Sequence, residues 1–155
     1  MPNYKGHLVG GLCAYGLLLS LLLLYAVCPT PLTLVEWLLA TLAGALFPDI
    51  DTKSKGQKYF YQLTGILGIV LVISRHYVTA SCMLLLALFP LMIRHRGITH
   101  SFIAMSLLCA ACVLFVHLQV PFHALQITYA VLFFWAGLVS HLILDLGIRR
   151  TFALR

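Results

Sequence analysis

Long apolar runs, separated by short polar or proline-containing breaks, dominate the chain. Residues 8–28 form one such run, ended by Pro29-Thr30-Pro31. A second run, 34–47, stops at Pro48 and leads into a polar loop over 49–58. Runs 59–74 and 77–93 form a pair around Arg75-His76, short enough to tilt or to sit as a partly re-entrant hairpin. A basic turn at 94–97 precedes run 101–120, which Pro121 ends, and run 124–147 leads to a basic tail. A hydrocarbon core about 30 Å thick is crossed by about 20 residues of helix, with every backbone polar group satisfied inside the helix. The pattern therefore predicts an all-α, polytopic integral membrane helical bundle of about six helices in three hairpins. It forms a single domain over residues 1–155, without internal repeats.

Composition supports this reading. Hydrophobic residues make up 62% and charged residues 9%, against roughly 45–50% and about 25% in soluble domains. A mean hydropathy of +1.02 excludes an ordinary soluble or disordered protein. The net charge of +6 points to anionic lipid rather than to a nucleic acid. Lys5, Lys53, Lys55, Lys58, Arg94, Arg96, Arg149, Arg150 and Arg155 fall on the side shared by the two termini, and Arg75 on the other. This asymmetry predicts cytoplasmic termini in a bacterial inner membrane. Run 8–28 reads as a retained span, because Tyr25-Ala26-Val27 ahead of Cys28 is a poor cleavage or lipobox site. Cys109-x-x-Cys112 lies in mid-helix with no charged neighbour, where Cys packs as a small hydrophobe.

The few ionisable residues are unevenly placed. His7 stands at the start of helix 1, Asp49 and Asp51 at the exit of helix 2, His95 and His100 around the turn before helix 5, and His141 with Asp145 in the last turns of helix 6. Three of the four acids and four of the seven histidines thus gather at one membrane level. His141 and Asp145 are four apart and share a helix face. Gly137 continues that face one turn deeper, where it lets a neighbouring helix approach, and His7 and Gly11 repeat the spacing. Gly97 permits the turn that brings His95 and His100 together, and Thr99 or Ser101 suits the cap of helix 5. Mixed imidazole and carboxylate donors suit Zn²⁺, with Mn²⁺ or Fe²⁺ as alternatives. Taken singly, each of these residues also reads as a solvated cap, and the acids as partners of Lys53, Lys55 or Arg96. Glu36, beside Trp37, reads as an interface anchor, and His76, His117 and His123 as interfacial residues of the opposite side.

The ordered set Gly6-His7-Leu8, Pro48-Asp49-Ile50-Asp51, His95-Arg96-Gly97-x-Thr99-His100-Ser101 and Ser140-His141-x-x-x-Asp145 resembles the bacterial membrane-bound metal-dependent hydrolases, the YdjM-like inner-membrane proteins. The resemblance covers about residues 5–147, and the His-Arg-Gly-x-Thr-His-Ser block is its most specific part. The family is grouped distantly with zinc-dependent phospholipases C and single-strand nucleases. The resemblance implies a metal site at His7, Asp49, Asp51, His95, His100, His141 and Asp145, and more weakly a phosphoester substrate.

The expected chemistry is hydrolysis assisted by one or two divalent ions, Zn²⁺ first among them. Asp49, His95, His100 and His141 rank first as ligands, with His7 and Asp145 next. Asp51 suits a bridging ligand, a partner of a ligating His, or the general base. Arg96, and secondarily Lys53 and Lys55, suit a phosphate, with a phosphorylated membrane lipid as the expected partner. A metal-stabilised structural or regulatory protein without catalysis and a small transporter are the alternatives. The transporter lacks the polar midplane residues it would need, and the His-Glu-x-x-His of an intramembrane metalloprotease is absent.

Overall fold

The computed structural model describes residues 3–50, 55–73, 75, 77–88, 98–119 and 121–151. Helix α1 (Tyr4–Leu24) is capped by Asn3, whose side-chain oxygen accepts the Lys5 and Gly6 amides at 3.1 and 3.2 Å. It closes on Ala26 in the left-handed region (φ 59°), with Val27 N–H on the Leu22 carbonyl and Ala26 N–H on Leu23. Helix α2 (Pro31–Leu46) starts from a Thr30 cap with Pro31 in its first turn, where a missing amide costs nothing. It tightens into a 3-10 turn at Phe47–Asp49, as expected where Pro48 removes a helical donor.

Helices α3 (Lys55–Ile73) and α4 (Tyr77–Leu88) form an antiparallel pair across Arg75, with Tyr61 Oη donating to the Ala87 carbonyl at 3.1 Å. A 3-10 turn at Ile98–His100 leads into α5 (Phe102–Gln119). Ser101 Oγ caps this helix by accepting the Ala104 amide at 3.4 Å, which settles the cap in favour of Ser101 over Thr99. A turn at Pro121–His123 leads to α6 (Ala124–Leu146), and Gly147 (φ 75°) separates it from the short α7 (Ile148–Thr151).

The chain is an all-α membrane bundle, and its helices pair as the three expected hairpins. Four segments are long and apolar enough to cross a membrane: Tyr4–Leu24, Pro31–Asp49, Phe102–Gln119 and Ala124–Leu146. Their outward surfaces carry exposed Leu17, Leu24, Leu32, Leu107 and Leu125, as lipid-facing helices require. Among the described residues, neither α3 nor α4 (Tyr77–Leu88) is counted among the segments long and apolar enough to cross.

The centre of the bundle is α2 against α6, with α1 laid across both. Without a hydrophobic drive inside lipid, such contacts depend on small residues that admit the neighbouring backbone. A Cβ on Gly44 would fall onto the Phe134 carbonyl, and one on Gly137 onto the Thr41 carbonyl. A Cβ on Gly11 would come within 2.9 Å of Ala45 Cβ. Below this zone Trp37 stacks on Phe133 at 4.7 Å, and above it Phe47 and Ile50 join Met105, Leu138 and Leu142 in the core. The α6 stripe Phe133, Gly137, His141, Asp145 therefore faces inward along its whole length.

Candidate metal centre

Each polar side chain of the site is delivered by a helix end. His7 comes from the first turn of α1, Asp49 from the turn that closes α2, His100 from the turn before α5, and His141 and Asp145 from the last turns of α6. His7, His141 and Asp145 are buried, with side chains 1%, 0% and 3% exposed, whereas Asp49 is 38% exposed. Among the described donors, Asp49 is the most exposed.

The donors converge. Asp49, His100, His141 and Asp145 each offer an atom within 4.8 Å of all the others. His100 Nε2 lies 3.6 Å from Asp49 Oδ1 and 3.8 Å from Asp145 Oδ2. His141 Nε2 lies 3.7 Å from Asp49 Oδ1 and 3.6 Å from Asp145 Oδ2. His7 Nε2 lies 3.4 Å from Asp145 Oδ1 and 4.0 Å from Asp49 Oδ2.

These distances exceed the about 2.7–3.2 Å of N–H···O hydrogen bonds. The shortest of them, 3.4 and 3.6 Å, match donors grouped around an ion, since ligands at about 2.0–2.2 Å from a tetrahedral zinc stand about 3.3–3.6 Å apart; the others are wider. Among the described residues, both ring nitrogens of His7, His141 Nε2 and Asp145 Oδ1 have no hydrogen-bond partner. Burying such atoms is costly unless something else satisfies them.

The His141 tautomer supports the same reading. Its Nδ1 lies 2.8 Å from the Ala45 carbonyl, so Nδ1–H donates there and the Nε2 lone pair faces the carboxylates. A ligating histidine is ordinarily oriented by such a bond from its other nitrogen. Ala45 is in the last turn of α2, whose carbonyls lack helical partners. It reaches His141 because Gly44 and Gly137 let the two helices touch.

Electrostatics also call for a cation. Asp49 and Asp145 both stand at helix C-termini, the negative ends of the helix dipoles. Neither α2 nor α6 has a basic residue in its last turn. Two carboxylates at two negative helix ends favour positive charge between them, which a divalent ion could supply. The donor set of imidazole and carboxylate thus fits a first-row divalent ion.

Of the residues singled out from the sequence, the structure brings together His7, Asp49, His100, His141 and Asp145. Asp51, His95, Arg96 and Lys53 lie outside the described residues, as does the side chain of Lys55. Asp145, ranked behind His95 on sequence grounds, stands among the four convergent donors. Sequence reasoning missed the Ala45 carbonyl and Gly44. The small-residue run Ala43-Gly44-Ala45 just before Pro48 was the available signal. At the opposite end of the bundle, Glu36 Oε2 accepts from Gln126 Nε2 at 3.1 Å, and His117 Nε2 lies 3.1 Å from Thr128 Oγ1. Thr128 donates to the Ala124 carbonyl, so His117 is the donor of that pair.

No curated protein and no solved structure matches the chain. The YdjM inner membrane protein family matches it over residues 1–153, taking in all five converging residues and the four apolar spans. The chain belongs to the YdjM inner membrane protein family.

Proposed function

We propose that the protein is a membrane-bound metal-dependent hydrolase acting on a phosphoester at the cytoplasmic face. The observation that carries this reading is the convergence of buried imidazoles and carboxylates beside the partly exposed Asp49. A purely structural site would be expected to close over all its donors, whereas a catalytic one keeps an approach.

His100, His141, Asp49 and Asp145 would hold a divalent ion, Zn²⁺ first, which when bound lowers the pKa of water and polarises a phosphoryl oxygen. The chain's own contribution is orientation. Ala45 fixes the His141 ring, and the glycine contacts of α2 and α6 fix the distance between Asp49 and Asp145. Phe47, Leu138 and Leu142 are fully buried on the same elements as the donors, and a low-dielectric surrounding strengthens charge interactions. Arg96 is assigned to substrate phosphate and Asp51 to proton transfer or to holding a ligand. A phosphorylated membrane lipid suits the location, because Asp145 is at a helix end and His141 one turn deeper.

A panel of phosphorylated lipids and nucleotides tests this with metal-loaded protein. Hydrolysis of a phosphorylated lipid is expected, and Arg96→Gln should raise KM or lower kcat on it at unchanged metal content. Failure across the panel would leave the second reading, a metal-stabilised protein without catalysis. The near-complete burial of His7, His141 and Asp145 favours that reading.

The orientation rests on charge. Four spans or six place both termini on one side, shared by nine of the ten Lys and Arg residues if α3 and α4 cross and by all ten if they do not. Reporter fusions after Lys5 and at Arg155 should both report the cytoplasm. A periplasmic signal from either would separate the site from the cytoplasmic leaflet.

A further inference from the structure

Resting on the metal-binding reading above, we infer that the centre holds two ions, with His7 serving a different ion from His100 and His141. An imidazole binds a metal in its own plane, along the nitrogen lone pair. The His7 and His141 rings are stacked at 3.8 Å with planes inclined by only 17°. Such planes meet far beyond the about 2.0–2.1 Å reach of a zinc–imidazole bond, so one ion cannot sit in both. His100 and His141 are inclined at 75° with centroids 5.7 Å apart, so their planes cross close by and one ion can serve both.

His100 and His141 both approach Asp49 Oδ1 and Asp145 Oδ2. His7 approaches the other two oxygens, Asp49 Oδ2 and Asp145 Oδ1. Each acid thus presents one oxygen to each group of histidines, the arrangement of a bridging carboxylate. The ring centroids also stand 3.8 Å apart, near the about 3.5–4 Å spacing of two-metal sites.

The two positions are unequal. Among the described residues, one has four protein donors, His100, His141, Asp49 and Asp145, and the other three, His7 and the second oxygens of the two acids. Two carboxylates do not neutralise two divalent ions, and the excess positive charge suits an anionic ligand.

Full-length protein in detergent, loaded with Zn²⁺ and freed of excess, should carry two ions per chain by mass spectrometry. His7→Ala should carry one, and gel filtration should show it folded. Loaded with Mn²⁺, the wild type should give the exchange-coupled EPR spectrum of a paired site, and His7→Ala an uncoupled one. One ion in the wild type with uncoupled Mn²⁺ would overturn the inference while leaving the metal-binding reading intact. So would His7→Ala retaining two ions, or losing all of them. No ion in the wild type would overturn both.

Discussion

Gly137→Ala is expected to dismantle the centre without touching a ligand. A methyl group there would fall onto the Thr41 carbonyl and lie 2.9 Å from the Ala45 amide nitrogen. Neither is a flexible side chain, so the helices must separate. Overpacking of a core typically costs about 1–3 kcal/mol, and a clash with backbone belongs at or above the top of that range. Separation also withdraws the Ala45 carbonyl from His141 and widens the gap between Asp49 and Asp145. The variant should therefore insert into the membrane, melt at a markedly lower temperature in detergent, and retain little metal. Gly16→Ala is the matched control, because a Cβ at Gly16 meets nothing within 4 Å. It should melt at or above the wild-type temperature, since Ala is the better helix former. Equal behaviour of the two variants would mean that the α2–α6 contact does not set the site.

His141→Ala is expected to have the other large effect, on metal content rather than on packing. His141 is fully buried and its Nε2 faces both carboxylates, so its loss removes a donor and leaves the acids underneutralised. Metal should fall to background while membrane yield stays near wild type, because insertion depends on the apolar length of α6. His117→Ala should keep its metal, as His117 pairs with Thr128 at the opposite end of the bundle. Full occupancy in His141→Ala would remove it from the ligand set.

Most of the site was legible because ionisable residues are so few. His7, Asp49, His100, His141 and Asp145 stand at helix ends on one predicted membrane level, and the i, i+4 spacing already paired His141 with Asp145. What was not legible is how near two helices come. The closeness of α2 and α6 requires Gly44 and Gly137 to meet across the interface, and neither sequence segment reports its partner. The rank of Asp145 depended on that approach, as did the role of the Ala45 carbonyl. Hydropathy set the α3/α4 runs apart as short enough to tilt or re-enter, and the described helices there, Lys55–Ile73 and Tyr77–Leu88, are not among the four long apolar segments.

The central claim is that these buried imidazoles and carboxylates hold divalent metal. The most direct measurement is the metal content of the full chain purified from membranes without added chelator, read beside its melting temperature. Bound first-row metal, Zn²⁺ foremost, is expected to survive gel filtration. Its removal by chelator should lower the melting temperature, as a ligand at a hundredfold its Kd contributes about 2.7 kcal/mol to the folded state. Re-addition of Zn²⁺ should restore it. Protein that carries no divalent metal above background, takes up none from excess Zn²⁺, and melts identically with and without chelator would contradict the account.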